Sequence, residues 1–294
     1  MNNIALLFPG QGSQYENMGK DSYEFSQHAQ EIYEIASTIL EYDIKDICFN
    51  ATIKEISNTK YAQPAIFIYS MLVIQKLKDK KININMVAGH SLGEISALTV
   101  AESLSIEDAL KIIKVRSSKM ELSGIKEPGK MLVLINATPE QITEICNIES
   151  IVVANINSPQ QIVVSGKEDK INEALSIAKK INIRKAMILN VSGAFHSPLM
   201  NNVREDLKKV LDDVNFNDSI VPVYQNMTCK PTIKAIDLKN NLLNQIENPV
   251  NWIKTINNMD KSNVDLYIEA GPKNILQGLN RRITNKKTIN FNEI

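Results

Sequence analysis

A G-x-S-x-G pattern at residues 89–93 lies between an apolar run at 86–88 and a helix-forming run that extends to residue 100. This arrangement predicts a strand that turns sharply into a helix, with Ser91 at the corner and its hydroxyl exposed. Gly89 and Gly93 are then required, because a side chain at either position would block the close approach of strand and helix. The same short pattern also occurs by chance in loops, so Ser91 is only a candidate nucleophile until other residues support it.

The composition indicates a globular chain with no overall electrostatic preference. Its 294 residues allow one large domain, or one large and one small domain. The 33 Lys and Arg residues balance 33 Asp and Glu residues, so we expect neither nucleic acid nor an anionic membrane as a partner.

The sequence also bears on compartment and metal content. Neither a signal peptide nor an apolar run of membrane-spanning length is recognisable. The three cysteines are widely spaced and form no C-x-x-C or His/Cys cluster, which favours a reducing compartment and argues against a metal site. We therefore expect a cytoplasmic protein without a metal.

Strand-like and helix-like segments alternate through most of the chain, which predicts a parallel sheet covered on both faces. Apolar residues at 4–8 form the first buried strand, and a glycine-containing loop at 9–14 follows it. The predicted helices are 21–42, 62–79, 93–100, 106–122, 198–211, 238–245 and 275–283, with another opening at 249–252; later strands are 220–224 and 266–269, before a basic tail.

The middle of the chain follows a different order, β-α-β-β-α-β, which is typical of a ferredoxin-like unit. Its predicted elements are a strand at 131–137, a helix at 139–146, strands at 151–155 and 161–165, a helix at 168–181 and a strand at 185–191. Glycines at 124, 129 and 193 bracket this unit. We therefore expect a small domain at 125–193 inserted into a large α/β domain at 1–124 and 194–294.

A serine nucleophile needs a base, and the chain has only three histidines. His28 lies in a surface-helix pattern, and His90 would point across the turn from Ser91. His196 is therefore the candidate base, although a histidine that only packs and hydrogen-bonds at a strand-to-helix corner is the alternative. No Asp precedes His196 at an obvious strand end, so a Ser–His pair oriented by a backbone carbonyl is expected rather than a full triad.

Six separated motifs make the chain resemble malonyl-CoA:acyl carrier protein transacylases, particularly the free-standing, trans-acting acyltransferases of polyketide synthases. The resemblance spans essentially the whole chain and implies an α/β-hydrolase-like fold with a small inserted domain. The motifs are F-P-G-Q-G-S-Q at 8–14, G-H-S-L-G-E at 89–94, N-S-P with a following Gln at 157–161, G-A-F-H at 193–196, N-P-V with a following Trp at 248–252, and E-A-G-P at 269–272.

The resemblance implies a role for each matching residue. It makes Ser91 the acyl-accepting nucleophile and His196 its general base. It also implies that the backbone N–H groups of Gln11 and Leu92 form the oxyanion hole, that Arg116 pairs with the malonyl carboxylate, and that the backbone carbonyl of Asn251 orients the histidine. A planar guanidinium suits bidentate pairing with a carboxylate, although a solvated helix arginine is the alternative for Arg116.

Phe195 bears on the choice of acyl group. Malonyl-selective members of the resembling family commonly have Phe immediately before the histidine, whereas methylmalonyl-selective members have Ser. The resemblance therefore implies malonyl selectivity, with plain core packing as the alternative role of Phe195.

The implied activity is transfer of a malonyl group from malonyl-CoA to the phosphopantetheine thiol of an acyl carrier protein, for fatty-acid or polyketide synthesis. It needs no cofactor. A proofreading acyl hydrolase of the same fold and an inert carrier-docking module are the alternatives, and Arg116 favours transfer over hydrolysis. Such carriers are acidic, and the densest basic cluster is Arg281, Arg282, Lys286 and Lys287, for which a solvated tail is the alternative. By default we expect a monomer.

Three positions depart from the family pattern. Lys130 replaces a residue that is usually small, Ile95 replaces a frequent aromatic residue, and Glu102 replaces a common glycine. None of them removes a catalytic group, but they bear on the shape of the pocket and on helix packing, and Lys130 could add a cation near the site.

Overall fold

The computed structural model describes residues 3–294, which form two β-sheets covered by helices. The strands are β1 (Ile4–Phe8), β2 (Met86–Gly89), β3 (Gly129–Ile135), β4 (Val152–Ser158), β5 (Gln161–Lys167), β6 (Lys185–Ile188), β7 (Val223–Tyr224), β8 (Pro231–Thr232), β9 (Val250–Asn251), β10 (Leu266–Glu269) and β11 (Lys287–Asn290). The α-helices are α1 (Lys20–Phe25), α2 (Gln27–Leu40), α3 (Ile44–Asn50), α4 (Ile53–Ile56), α5 (Thr59–Asp79), α6 (Gly93–Val100), α7 (Ile106–Lys126), α8 (Pro139–Cys146), α9 (Glu168–Lys180), α10 (Asn201–Asp213), α11 (Ala235–Gln245), α12 (Trp252–Asp260) and α13 (Ile275–Asn280).

The larger sheet has the strand order β11-β10-β1-β2-β7-β8, and its pairings are parallel except for the β7–β8 pair at the edge. Alternate residues of β1 face opposite sides of this sheet. Leu6 and Phe8 pack in one apolar core, whereas Ala5 and Leu7 pack in the other. Because both faces are buried, the strand is continuously apolar, as the sequence predicts.

The second sheet has the order β6-β3-β5-β4, with antiparallel pairs throughout, which is the ferredoxin-like arrangement. Leu132 and Leu134 face α8 and α9 in a small core of their own, while Met131 and Val133 join the main core on the other face. β9 extends this sheet by pairing in parallel with β4. The inserted unit is thus joined to the large body through a shared face and a shared strand. Its predicted limits of 125–193 stay a prediction.

Most predicted elements are confirmed within a few residues, and four differ. The helix predicted to open at 249–252 begins at Trp252, because Val250 and Asn251 form β9. The predicted helix at 21–42 is two helices, because Ser26 is extended and caps the second one by accepting a hydrogen bond from the Ala29 N–H. The strand predicted at 220–224 is reduced to β7. The basic tail contains β11, whose apolar residue Ile289 packs in the main core. No helix in residues 3–294 is both long and apolar enough to cross a membrane.

Candidate active site

Ser91 occupies the corner between β2 and α6 with a left-handed backbone, at φ +53°. Such a conformation is uncommon for a residue with a side chain and marks local strain. The flanking glycines permit it. A Cβ at Gly89 would lie 1.9 Å from the Gly93 carbonyl carbon, and a Cβ at Gly93 would lie 2.0 Å from the Phe8 carbonyl oxygen. Both glycines are therefore required by backbone contacts, as the sequence predicts.

The Ser91 hydroxyl contacts both side chains that the sequence brings forward as candidates. His196 Nε2 lies 2.8 Å from Ser91 Oγ, and Arg116 Nη2 donates to the same oxygen at 2.9 Å. These residues come from positions 105 and 25 residues away in the chain, so the fold alone brings them together.

The hydrogen bonds of His196 determine its tautomer. Its Nδ1 faces the carbonyl oxygens of Gln245 and Asn248, each at 3.0 Å. Carbonyl oxygens only accept, so Nδ1 carries the proton and the lone pair of Nε2 accepts from the Ser91 hydroxyl. This is the geometry of a general base facing its nucleophile.

The expectation that the Asn251 carbonyl orients the histidine is wrong. That carbonyl accepts from Thr255 Oγ1 at 3.1 Å, and the Asn251 side chain caps α12 by accepting from the Lys254 N–H. The orienting carbonyls come instead from the end of α11 and the loop after it. A helix end that turns directly into a loop offers several carbonyls within one turn, and sequence spacing alone does not distinguish between them.

His196 is almost fully buried, and its backbone is also left-handed, at φ +56°. Burial, together with the nearby positive charge of Arg116, lowers the pKa of its imidazole to about 3. The ring is therefore neutral at physiological pH, which is the protonation state that can accept a proton from Ser91.

Arg116 is buried on α7, with 1% of its surface exposed, and its guanidinium is held by two side-chain amides. Nη1 donates to Gln63 Oε1 at 2.7 Å, and Nη2 donates to Gln245 Oε1 at 3.1 Å. Burial lowers its pKa to about 10, whereas the charge of Glu94 favours the protonated form. The guanidinium is thus a fixed buried cation beside the nucleophile, and the alternative of a solvated helix arginine is excluded by its burial.

A second network supports the corner from behind. The side chain of Asn226 accepts from the Ser91 N–H at 2.8 Å and donates to the Gly89 carbonyl at 2.6 Å. The Asn226 N–H in turn donates to the buried carboxylate of Glu94 at 2.6 Å, and Gln225 Nε2 donates to the other oxygen of that carboxylate at 3.2 Å. Burial raises the pKa of Glu94 to about 7. The network ties the strained corner to the start of α6.

Sequence reasoning missed Gln63, Gln245, Asn226 and Glu94. The only available signal was Glu94, a charged residue in an otherwise apolar helix directly after the corner. Gln63, Asn226 and Gln245 have no sequence pattern that predicts a role, because each acts through contacts with residues that are distant in the chain.

The backbone N–H groups of Gln11 and Leu92 have no acceptor among residues 3–294 and belong to residues that line the chamber around Ser91. The loop containing Gln11 is held close, since a Cβ at Gly10 would lie 2.5 Å from the His90 carbonyl oxygen. The Gln11 side chain also donates to Thr59 Oγ1 at 3.2 Å. Two free donors near a nucleophile are what an oxyanion hole requires.

Two connected cavities surround these groups. The catalytic chamber, of about 90 Å³, is lined by Ser91, Arg116, Phe195 and His196 among others. The adjoining cleft, of about 460 Å³, continues from it between the Gly10–Gln14 loop, β4, β5 and α13. Gln11, His90, Asn155, Leu189 and Val191 line both. A small acyl group fits the chamber, and the cleft has room for a longer arm.

The family model for the acyl transferase domain matches residues 5–290 of this chain. The chain belongs to the acyl transferase domain family. It is 37% identical to the malonyl CoA-acyl carrier protein transacylase of Bacillus subtilis (strain 168), over 98% of this chain and 93% of that protein. It is 34% identical to the polyketide biosynthesis malonyl CoA-acyl carrier protein transacylase PksC of the same organism, over 95% and 96%. The crystal structure of the acyl-carrier-protein-S-malonyltransferase from Bartonella henselae matches with a TM-score of 0.92 at 32% identity, over 98% and 95%.

The three departures from the family pattern have distinct structural outcomes in this acyl transferase domain. Lys130 Nζ lies 4.0 Å from a Glu168 carboxylate oxygen at the partly exposed start of β3, and the residue does not line the chamber. Ile95 is buried in the main core. Glu102 is exposed with a left-handed backbone, at φ +59°, directly after α6 ends. This backbone conformation explains why glycine is common at that position in the family, because glycine has no Cβ and adopts a left-handed conformation without steric cost.

Proposed function

We propose that this chain is a malonyl-CoA:acyl carrier protein S-malonyltransferase that works through an acyl-serine intermediate. The observation that carries the proposal is the buried guanidinium of Arg116, 2.9 Å from Ser91 Oγ and held by neutral amides rather than by a carboxylate. No carboxylate of residues 3–294 lies within ion-pair distance of this guanidinium, and only the more distant charge of Glu94 favours it. A buried cation without a direct partner is costly, and a negatively charged acyl group in the chamber would supply one. A malonyl group has its free carboxylate two bonds beyond the reacting carbonyl carbon, so one chamber can hold both ends.

The first half-reaction follows from the geometry. His196 Nε2 takes the proton of the Ser91 hydroxyl, and Oγ attacks the thioester carbonyl of malonyl-CoA. The N–H groups of Gln11 and Leu92 stabilise the negative oxygen that forms, a contribution typically worth roughly 10²–10³-fold in rate for each donor. The carbon–sulfur bond then breaks, and the imidazolium returns its proton to the CoA thiolate.

The second half-reaction reverses these steps with a different thiol. His196 takes the proton of the carrier-protein phosphopantetheine thiol, which attacks the malonyl ester of Ser91. The carbon–oxygen bond breaks, and Ser91 recovers its proton from the imidazolium. Thioester is exchanged for ester and back, so the reaction needs no metal or redox cofactor. The same pathway would serve fatty-acid or polyketide synthesis, since the chemistry at the serine is identical.

We place the carrier protein at a basic hollow of about 500 Å³ beside the adjoining cleft, with which it shares Gln161. Arg184, Lys185 and Arg282 line this hollow. Arg282 belongs to the basic cluster at 281–287, and the inserted unit contributes the other two cations. An acidic carrier would meet complementary charge there. Changing Arg184 and Arg282 to Glu should weaken transfer to the carrier in a salt-dependent way while self-acylation from malonyl-CoA is retained.

We also propose that the protein acts as a monomer in the cytoplasm. One chain supplies all the residues of the chamber, and Cys48, Cys146 and Cys229 are free thiols, as a reducing compartment favours. Sedimentation of the purified chain in the presence and absence of the carrier tests the oligomeric state.

The proposed function is tested by following radiolabelled malonyl-CoA in the presence of holo carrier protein, apo carrier protein, or no carrier. We expect label on the enzyme in every case and label on the carrier only when the carrier is in its holo form, with acetyl-CoA a much poorer donor. Release of free malonate at the same rate with and without carrier would instead identify a hydrolase of the same fold. No turnover of any acyl-CoA would overturn the proposal.

A further inference from the structure

Asn155 is a buried amide whose side chain has no hydrogen-bond partner among residues 3–294. It lies on β4 in the inserted unit, with 7% of its surface exposed. Its backbone pairs with Val163 on β5, directly after a shift in the β4–β5 register, and with Val250 on β9. In the described part of the chain, the side-chain polar atoms that are wholly buried without a partner are those of Ser70, Ser96 and Ser165, so the Asn155 amide is reached from the cavities that the residue lines. An amide that faces a cavity and makes no hydrogen bond to the described residues is open to a ligand or to water.

The position of Asn155 indicates where a ligand would meet it. Asn155 is one of the residues that line both the catalytic chamber and the adjoining cleft. The other polar side chains at this junction are already engaged: Gln11 donates to Thr59, and His90 Nε2 is 2.8 Å from Asn157 Oδ1. Leu189 and Val191 supply apolar walls. Among the residues that line both cavities, Asn155 is therefore the one whose side-chain amide makes no hydrogen bond to residues 3–294.

We propose that Asn155 recognises the terminal amide of the pantetheine arm, the one nearest the thioester sulfur. The inference rests on the proposed function, because it requires a malonyl thioester in the chamber. With the acyl group beside Ser91 and Arg116, the sulfur leaves the chamber toward the junction, and two methylene groups separate it from this amide. An amide side chain can donate to the carbonyl and accept from the N–H of another amide.

This role explains why one residue serves both half-reactions. Malonyl-CoA and the holo carrier protein differ in everything beyond the phosphate of the arm, but they share the terminal amide. A group that binds this amide would place either thioester at the same distance from Ser91. Asn155 is thus a positioning residue for the arm, distinct from the acyl recognition proposed for Arg116.

The test compares two small malonyl donors with purified enzyme variants. The malonyl thioester of N-acetylcysteamine retains the terminal amide, and malonyl S-pentyl thioester replaces it with methylene groups at the same chain length. Acylation of Ser91 is followed by intact-protein mass spectrometry, and kcat/KM is obtained for each donor. For the wild type we expect a preference of roughly 2- to 12-fold for the amide donor, the usual range for one neutral hydrogen bond.

In Asn155→Ala the preference should fall to about one, while the malonyl-over-acetyl ratio stays as in the wild type. Asn155→Leu, which leaves an apolar side chain of similar size, should favour the pentyl donor. Asn172→Ala, on the exposed face of α9 in the same unit, is the matched control and should retain the wild-type preference. The denaturation midpoint of Asn155→Ala should stay close to that of the wild type, because no side-chain hydrogen bond to the described residues is lost.

The outcomes separate the two proposals. A wild type that acylates from both donors without preference, or an Asn155→Ala variant that keeps the preference, would overturn the role of Asn155 and leave the proposed function intact. A wild type that is not acylated by malonyl-CoA or either small donor would overturn the proposed function and this role with it.

Discussion

The guanidinium of Arg116 donates a hydrogen bond of 2.9 Å to the hydroxyl of Ser91, the same oxygen that faces His196. A cation in this position stabilises negative charge on the serine oxygen and also disfavours protonation of the histidine. When a malonyl carboxylate binds to Arg116, its charge is neutralised and the second effect weakens. Substrate binding should therefore make His196 a stronger base at the moment when it is needed.

Replacing Arg116 by Ala should reduce malonyl transfer specifically. A charge-assisted hydrogen bond contributes about 1.5–3 kcal/mol, so kcat/KM for malonyl-CoA should fall by roughly ten- to a hundred-fold. Transfer from acetyl-CoA, which has no carboxylate, should hold or rise. The measurement is the ratio of kcat/KM for the two donors, and an equal decline of both would contradict the role of Arg116 as the carboxylate partner.

The pH dependence of Ser91 reactivity should report the lowered pKa of His196. Because burial and Arg116 lower that pKa to about 3, the neutral imidazole persists as the pH falls from 7 to 5, and reactivity should be retained over this range. The rate of inactivation by a neutral serine-directed sulfonyl fluoride measures it without a charged substrate. In Arg116→Met the pKa of His196 should rise, because a neighbouring positive charge is removed. The inactivation rate should then begin to fall at a higher pH than in the wild type. A wild-type midpoint near the usual histidine value, about 6.5, would contradict this account.

The fold could be predicted largely from the sequence because its signals are local. Continuous apolar runs mark the buried strands, and the glycines at 89 and 93 mark the corner. β11 was missed because it begins with Lys287 in a basic stretch, and its partner β10 lies about twenty residues earlier. A strand at the edge of a sheet needs only a few apolar residues, which a charged flank hides.

The site could be predicted only in part, for the same physical reason. Ser91 lies in a recognisable sequence pattern, and His196 is one of only three histidines in the chain. Gln245 has neither signal, although its side-chain amide contacts Arg116 and Ser91 and its backbone carbonyl contacts His196. Nothing in the sequence around Gln245 signals those contacts, because they depend on where α11 ends in three dimensions. The error over Asn251 has this origin.

Phe195 is expected to restrict the size of the acyl group. It is 5% exposed and lines the catalytic chamber beside His196, so its ring borders the space that an α-methyl group would need. Overpacking of this kind costs about 1–3 kcal/mol. Malonyl-CoA should be preferred over methylmalonyl-CoA by roughly ten- to a hundred-fold in kcat/KM, and Phe195→Ser should reduce that preference. An unchanged ratio in Phe195→Ser would assign the selectivity to other residues.

Glu102 offers a prediction about stability that is independent of catalysis. Its left-handed backbone, at φ +59°, follows the end of α6, and a residue with a Cβ is disfavoured there. Glu102→Gly should raise the free energy of unfolding by about 1 kcal/mol. The matched control is Glu107→Gly in the first turn of α7, where glycine should lower it by about 0.5–1 kcal/mol. Urea denaturation measures both, and destabilisation by Glu102→Gly would contradict the strain argument.

Mass spectrometry of the intact protein after brief incubation with malonyl-CoA, followed by peptide mapping, decides whether Ser91 carries the malonyl group. We predict a mass gain of one malonyl group, located on Ser91, that disappears when holo carrier protein is added and that Ser91→Ala does not acquire. A malonyl adduct on any other residue, or rapid transfer to the carrier by Ser91→Ala, would contradict the account.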